Sequence, residues 1–275
     1  METKAIARTY LFVPGHRAER FDKALASGAD SVVLDLEDAV AADDKGRARD
    51  AIKAWAAGAP QADRERIVVR VNEAASREFH GDLAMLAAAG LTQVMLPKAE
   101  SSEQVDSVLA ALPGAGVLAL IESARGVARV EQVGAATGVS RLVFGTLDFA
   151  LDLDMEINED PVGLSYAASR IAIASRLAGL PAPVAGVTPQ LDDEACLLND
   201  WRLARRHGFG AKLCIHPRQV APIHSAMRPS AEALEWAQRV LAADAASPGA
   251  ARLDGRMVDR PVVLQAQRIL RLGAG

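Results

Sequence analysis

The chain has 275 residues, of which 50% are hydrophobic and 24% charged, a composition typical of a globular protein with one large α/β barrel or two smaller domains. A net charge of −4, without any block of consecutive basic residues, argues against a nucleic-acid partner. The opening residues METKAIARTY lack the apolar core of a signal peptide, and no apolar run approaches the roughly 18 residues of a membrane span, so we expect a cytoplasmic protein with no membrane partner.

Short apolar runs typical of buried strands alternate with helical patterns along the chain. The predicted strands are Thr9–Val13, Ser31–Asp35, Ile67–Val71, Gln93–Leu96, Val117–Ile121, Arg141–Phe144, Pro183–Ala185 and Ala211–Ile215. The predicted helices between and after them are Glu19–Ala26, Lys45–Ala57, Gly81–Ala89, Ser102–Leu112, Gly126–Ala135, Leu164–Ala178 and Asp192–His207. This alternation predicts a (β/α)₈ TIM barrel, with a doubly wound open sheet as the alternative.

The chain continues beyond the eighth predicted unit. A helix is expected over Ser230–Ala245, then a loop over Ala246–Gly255, and finally a helix ending at Leu272. We therefore expect a catalytic barrel over residues 1–228 and a helix-loop-helix extension over residues 229–275. This extension could fold over its own barrel or reach a neighbouring subunit.

Acidic residues follow two neighbouring predicted strands. Glu122 comes directly after the apolar run Val117–Ile121, and Asp148 follows Phe144 by way of Gly145. Because parallel barrels place their chemistry at the carboxyl ends of the strands, the two carboxylates are candidates to hold a divalent cation together. Taken singly, Glu122 could instead cap the next helix and Asp148 could begin a turn.

Other charged residues are expected at the same end of the barrel. Arg17 and Lys23 follow the first strand and would suit a phosphate or a carboxylate, although surface charge is an equal alternative. Arg70 lies within an apolar run, and its planar guanidinium could hold a carboxylate or an enolate by two parallel hydrogen bonds. Three acids within Asp35–Asp38 require a compensating cation or donor. Lys98 could be a Schiff-base lysine if its pKa were lowered.

Eight segments of the chain resemble the citrate lyase β-subunit-like proteins of the HpcH/HpaI aldolase superfamily. These segments are TYLFVPGHRAERFDKA, SVVLDLEDAV, VVRVN, VMLPKAES, ALIESARGV, LVFGTLDFALDL, AKLCIHPRQV and GRMVDRPVVLQAQRIL. The resemblance implies a TIM barrel, Mg²⁺ as cofactor, and reversible cleavage of a 3-hydroxyacyl-CoA thioester, such as citramalyl-, malyl- or citryl-CoA, into acetyl-CoA and a 2-oxo acid.

The resemblance also assigns roles by position. It implies that Glu122 and Asp148 hold Mg²⁺, and that Arg70 binds the oxo-acid or enolate oxygen. Substrate binding is implied for Gly145 as well, while Arg17 and Lys23 would meet the CoA phosphates and Ile215 and His216 would line the thioester path. Asp259 would act in the active site of a neighbouring subunit, which implies a homotrimer or a hexamer.

The chain departs from the pattern of this family at two places. Leu147 stands beside Asp148 where many relatives carry an acid, and the loop Asn72–Ser76 differs from the usual one. Both changes affect the expected substrate preference. Two other functions stay open: a metal-dependent class II aldolase acting on free 4-hydroxy-2-oxo acids, and a non-catalytic CoA-binding protein on the same barrel.

Overall fold

Eight short parallel strands pair in sequence order and close into a barrel. They are β1 (Thr9–Pro14), β2 (Ser31–Asp35), β3 (Ile67–Arg70), β4 (Gln93–Leu96), β5 (Gly116–Ile121), β6 (Val139–Phe144), β7 (Val184–Ala185) and β8 (Ala211–Cys214). The structure is a computed structural model that describes residues 6–156, 161–247, 249 and 251–273. Its two compact units are Met1–Ile223, which holds the barrel, and His224–Gly275. The predicted TIM barrel is confirmed.

Helices connect the strands and follow the barrel. They are α1 (Phe21–Leu25), α2 (Lys45–Gly58), α3 (Gln61–Arg64), α4 (Phe79–Ala89), α5 (Ser102–Ala111), α6 (Ala124–Ala128), α7 (Val130–Ala135), α8 (Thr146–Asp152), α9 (Ser165–Leu177), α10 (Glu194–Arg206), α11 (Val220–Met227), α12 (Ala231–Ala246) and α13 (Arg260–Gly273). None of these helices combines the length and the apolar composition needed to cross a membrane.

The alternation of side chains along each strand produces two apolar layers. One layer fills the barrel and contains Tyr10, Val33, Val68, Met95, Leu118, Leu120, Val143, Val184, Ala211 and Leu213. The other lies between the strands and the helices. Two residues beyond Val33, Val68 and Leu120 come Asp35, Arg70 and Glu122, so the same alternation directs these charged side chains into the barrel mouth.

Arg141 occupies the opposite end of the barrel interior. Its side chain is buried and donates to the backbone oxygens of Ala7 (2.5 Å) and Ala182 (2.8 Å), which precede β1 and β7. Its guanidinium also lies 5.7 Å from the ring centroid of Tyr10. Arg141 therefore ties together strand starts that are distant in sequence.

The helices differ from the sequence prediction on either side of β6. The segment Gly126–Ala135, expected as one helix, forms α6 and α7, because Arg129 between them leaves the helical conformation with φ −109° and ψ 11°. Helix α8, which was not among the predicted helices, begins directly after Gly145. It therefore places Asp148 in its first turn.

The C-terminal unit has a small core of its own between two helices. Helix α12 is capped by Ser230, whose hydroxyl accepts from the Ala233 amide, and it packs with α13 around buried residues such as Val240 and Ala266. The prediction of a loop over Ala246–Gly255 is in part wrong, because a hairpin of β9 (Ala251–Leu253) and β10 (Arg256–Val258) joins the helices. Residues 248 and 250 of this expected loop lie outside the described residues.

Candidate active site at the carboxyl ends of the strands

A buried ion pair joins the ends of β2 and β3. Asp35 and Arg70 are partners in the register of the two strands, so their side chains project side by side into the barrel mouth. The Arg70 Nε donates to Asp35 Oδ1 at 2.8 Å, and Nη2 donates to Oδ2 at 2.6 Å. Burial opposes the charge of Arg70, yet the hydrogen bonds and charge of Asp35 prevail and raise the pKa of the guanidinium.

This pairing changes what Arg70 can offer a ligand. The sequence predicted a guanidinium that grips a ligand by two parallel hydrogen bonds, but the edge formed by Nε and Nη2 already holds Asp35. The remaining nitrogen, Nη1, donates a long hydrogen bond of 3.5 Å to Asp38 Oδ2, a largely exposed carboxylate, and lies 2.8 Å from Glu37 Oε2. Arg70 is thus the compensating cation that the acidic run after β2 requires, and Nη1 is the atom left to meet a ligand.

Glu37 is a buried carboxyl with an incomplete set of partners. Its Oε2 lies close to Arg70 Nη1, but the N–H directions of Arg70 do not meet it, and this oxygen accepts no hydrogen bond. Burial raises the pKa of Glu37 to about 7, although the charge of Arg70 acts in the opposite direction. A buried oxygen of this kind is available to a donor or a cation that enters the mouth.

Glu122 lies at the end of β5 and is only 4% exposed. Its Oε1 accepts a hydrogen bond from the backbone amide of Lys98 at 2.8 Å. Burial raises the pKa of Glu122 to about 8, and the negative charges of Glu37 and Asp148 add to this effect. The ionised carboxylate is therefore short of positive charge in the protein alone.

Gly145 allows Glu122 to occupy this position. A Cβ atom built on Gly145 would lie 2.5 Å from Glu122 Oε2 and 2.6 Å from Glu122 Cβ. Such distances are far below van der Waals contact, so only glycine lets the backbone between β6 and α8 approach this carboxylate. Its role is thus to make room beside Glu122.

Asp148 is half-buried in the first turn of α8, close enough to Glu122 for its charge to affect that carboxyl. Two carboxylates offer hard oxygen ligands of the kind that Mg²⁺ prefers. Within the described residues no group of three or more His, Cys, Asp or Glu side chains is arranged to hold a metal ion. A cation between Glu122 and Asp148 would therefore take its other ligands from water or from a bound molecule, as Mg²⁺ commonly does.

The cations expected to meet phosphates follow β1. Arg17 is partly exposed and its Nε lies 2.6 Å from Glu19 Oε1, while Lys23 is exposed on α1. Between them and the strand, the ring nitrogen Nδ1 of His16 is buried without a hydrogen-bond partner. His16 was not among the predicted site residues. Its position directly after a predicted strand was the only feature of the sequence that could have indicated it.

Ile215 and His216 follow β8 at the same end of the barrel. The Ile215 amide donates to Gln219 Oε1 at 2.9 Å, and its side chain is an exposed apolar group. His216 Nδ1 accepts from the Arg218 amide at 3.1 Å and so caps the short 3₁₀ helix Pro217–Gln219. Their position at the mouth agrees with the expected place, and their role toward a substrate stays a prediction.

Asp259 belongs to the C-terminal unit, at the start of α13. Its Oδ1 accepts from the Val262 amide at 3.2 Å, which stabilises the beginning of that helix. The expected role of Asp259 in a neighbouring subunit stays a prediction.

Lys98 contacts Glu122 through its backbone amide, whereas its amine pairs with Glu73. Its φ of +46° places the residue in the left-handed region and turns its amide toward Glu122. The amine lies 2.8 Å from Glu73 Oε2, whose hydrogen bond raises the pKa of Lys98. A Schiff-base lysine needs a lowered pKa, so that alternative is not supported.

The sequence comparisons assign the chain to a family. Residues 8–217 match the family described as HpcH/HpaI aldolase/citrate lyase. A "Citrate lyase subunit beta-like protein" of Mycobacterium tuberculosis is 38% identical over 98% of this chain and 97% of that protein. The chain belongs to the HpcH/HpaI aldolase/citrate lyase family.

Other members of the HpcH/HpaI aldolase/citrate lyase family resemble this chain in fold or in sequence over nearly its whole length. The crystal structure of CitE from M. tuberculosis in complex with magnesium, acetoacetate and coenzyme A superposes with a TM-score of 0.89 at 36% identity, and covers 99% of this chain and 100% of that one. A "(3S)-malyl-CoA thioesterase" of Cereibacter sphaeroides is 31% identical over 96% of this chain and 93% of that protein. The family thus includes both lyases and a thioesterase.

Proposed function

We propose that this protein is a Mg²⁺-dependent carbon-carbon lyase that cleaves or forms a 3-hydroxyacyl-CoA thioester such as citramalyl-, malyl- or citryl-CoA. The observation that carries the proposal is the buried carboxylate of Glu122, which is held by the Lys98 amide and lies near Asp148 and Arg70. The family membership supports a CoA-ester lyase, and the related CitE structure with magnesium, acetoacetate and coenzyme A supports this class of ligands.

Glu122 and Asp148 would hold the Mg²⁺. Their oxygens fit a hard divalent cation, and a cation bound there would favour the ionised form of Glu122 that burial and neighbouring negative charges oppose. When bound, Mg²⁺ would act as a Lewis acid that stabilises charge on the oxygen destined to become the ketone.

The cleavage that we propose is a retro-Claisen reaction. A base removes the proton of the acyl hydroxyl group, and the bond between the hydroxyl-bearing carbon and the carbon next to the thioester breaks. The electron pair of that bond forms the thioester enolate, and the hydroxyl-bearing carbon leaves as a 2-oxo acid. Protonation of the enolate carbon then gives acetyl-CoA.

Arg70 would stabilise the negative charge that develops in this reaction, and Asp259 would transfer a proton. Because Asp35 fixes one edge of the guanidinium, Arg70 Nη1 has a defined position from which to stabilise the oxo-acid or enolate oxygen. Asp259 of a neighbouring subunit would remove the methyl proton of acetyl-CoA in the forming direction. In the cleavage direction its protonated form would return that proton to the enolate.

The CoA part of the substrate would bind across the first and last strands of the barrel. Arg17 and Lys23 offer positive charge for its phosphates, and Ile215 and His216 would line the path of the thioester. Because β1 pairs with β8 in the closed barrel, these four residues follow neighbouring strands. Gly145 would contribute by the close approach of its backbone beside Glu122.

The test is a cleavage assay on the three thioesters, each with Mg²⁺ and with EDTA, in which both the 2-oxo acid and free CoA are measured. Metal-dependent release of a 2-oxo acid from one thioester is the expected result. The Glu122→Gln variant should be inactive, whereas Gly46→Ala, at an open position of α2, should behave as the wild type. Full activity of Glu122→Ala without added metal would contradict the proposal.

A second candidate function is hydrolysis of the thioester, which the related (3S)-malyl-CoA thioesterase favours. The same assay separates the two reactions, because hydrolysis releases free CoA and a hydroxy acid without a 2-oxo acid. Cleavage of free 4-hydroxy-2-oxo acids without any effect of CoA would instead indicate the class II aldolase. Binding of CoA without turnover of any thioester would indicate the non-catalytic protein.

A further inference from the structure

A cavity lies outside the barrel, lined by residues of β6, β7, β8, α8, α9 and α10 and of the loop after β7. Its volume is about 760 Å³, within the range of small-molecule binding sites. Much of its wall is apolar and includes Phe144, Leu164, Ala168, Ala204 and Phe209. None of the carboxylates around Arg70 and Glu122 lines this cavity, which reaches the site only through Thr146 and Leu147 in the first turn of α8.

Lys212 lines this cavity, although its side chain is only 1% exposed. Its neighbours Ala211 and Leu213 face the barrel interior, so the alternation along β8 directs Lys212 outward, toward the helices. The amine donates a hydrogen bond to the backbone oxygen of Gly186. Among the described residues, no carboxylate lies within 4.0 Å of the amine, so Lys212 is a buried cation without an ion pair.

The surrounding charges define which anion would fit. Asp200 also lines the cavity, and its Oδ2 accepts from the Thr188 hydroxyl at 2.6 Å. Burial lowers the pKa of Lys212 to about 8, while the negative charge of Asp200 acts in the opposite direction. Lys212 is therefore mostly protonated at neutral pH. A ligand with one negative charge would stabilise the protonated amine in this buried setting.

We propose that this cavity binds a monocarboxylate with an apolar body, and that the carboxylate group pairs with Lys212. The apolar wall would cover the body of the ligand, since burial of apolar surface is the main favourable contribution in such pockets. A ligand with several negative charges is disfavoured, because Asp193 and Asp200 also line the cavity. The proposed ligand therefore differs from the phosphate-rich CoA thioester of the active site.

The probe is octanoate, titrated by calorimetry into the full-length protein, with 1-octanol as the uncharged probe of similar shape. Octanoate should bind with a stoichiometry of one per chain and at least about tenfold more tightly than 1-octanol. Lys212→Met should abolish this preference. Lys53→Met, which removes an exposed cation on α2, should leave it unchanged.

A second variant tests the cavity without altering its charge. Ala204→Leu keeps Lys212 and fills part of the space, so it should weaken octanoate binding by about tenfold or more while leaving the fold intact by circular dichroism. If Lys212→Met does not fold, octanoate binding by Ala204→Leu tests the proposal in its place. The proposal is overturned if octanoate does not bind at up to ~10 mM, if both variants bind it like the wild type, or if Glu122→Gln abolishes its binding.

Discussion

Arg70 and Asp35 form a bidentate ion pair between two neighbouring strands, with hydrogen bonds of 2.6 and 2.8 Å, in the mouth of the barrel. The pair occupies the edge of the guanidinium that could otherwise grip a ligand. It also neutralises Asp35, the first of the three acids in the run Asp35–Asp38, so the pair organises the mouth before any ligand arrives.

Replacing either Arg70 or Asp35 alone should lower the free energy of unfolding. Replacing both should lower it by less than the sum of the two single losses. Arg70→Met should lower the free energy of unfolding by about 3–5 kcal/mol, because it leaves Asp35 as a buried charge without its partner. Asp35→Asn should also destabilise, whereas the double variant should recover part of the loss. Urea denaturation of the four proteins measures this coupling, and additive losses would contradict it.

Gly145→Ala should disturb the carboxylate of Glu122, since the new methyl group would lie 2.5 Å from Oε2. We expect a loss of Mg²⁺ affinity of at least about tenfold in calorimetric titration, with a matching loss of turnover. The matched control is Gly46→Ala, where no atom lies within 4 Å of the added Cβ and the helix should be neutral to the change or slightly stabilised. Equal Mg²⁺ affinities in the two variants would show that Gly145 is not needed for space.

Lys212 should make the stability of the barrel depend on pH in a defined direction. Its pKa is lowered to about 8 by burial, from 10.5, so the folded state binds fewer protons than the unfolded state between these values. The penalty for burying the ammonium is fully present below pH 8 and is lifted as pH rises toward 10.5. Wild type should therefore gain roughly 1–3 kcal/mol of stability relative to Lys212→Met over this window, as measured by urea denaturation. A constant difference between the two proteins would contradict the assignment.

Asp259 should act in a subunit other than its own. Asp259→Ala should lose most turnover while its Mg²⁺ affinity stays that of the wild type, because the proposed metal ligands are on the barrel. Mixing Asp259→Ala with Glu122→Ala subunits, after dissociation and reassembly, should restore activity at sites that combine an intact Glu122 with an intact Asp259. Lack of restoration, with mixed oligomers demonstrated by mass spectrometry, would place Asp259 outside the neighbouring site.

Arg141→Met should destabilise the barrel without altering the chemistry. The substitution leaves the backbone oxygens of Ala7 and Ala182 without their buried donor, so a loss of roughly 2–4 kcal/mol is expected. The KM and kcat of the folded variant should stay those of the wild type. A changed KM would show that this end of the barrel influences the mouth.

The strands were predictable because each is a short, continuous apolar run, and even the two-residue β7 was found from Pro183–Ala185. The contacts of the site were less accessible to sequence reasoning. Arg70 was recognised as a charged residue within an apolar run, but its pairing with Asp35 depends on the register of two strands 35 positions apart, which the sequence does not contain. The same signal applies to Lys212 and Arg141, each a lone cation in a buried strand, and neither was singled out.

The end of β6 shows a different reason for a missed prediction. No helix was predicted directly after Gly145, where both Gly145 and Thr146 have low helix propensity. The backbone nevertheless turns directly into α8, because Gly145 can approach Glu122 closely enough for the helix to begin there. Tertiary packing, which local propensity does not describe, determined this element.

The left-handed backbone of Lys98 makes the hydrogen bond to Glu122 independent of which side chain position 98 carries. The hydrogen bond to Glu122 comes from the amide, which every residue except proline can supply, so it does not depend on the lysine side chain. Glycine or asparagine would adopt this backbone conformation readily, whereas a β-branched residue would strain it. Position 98 can therefore acquire a new side chain during evolution while the carboxylate of Glu122 keeps its hydrogen bond and its orientation.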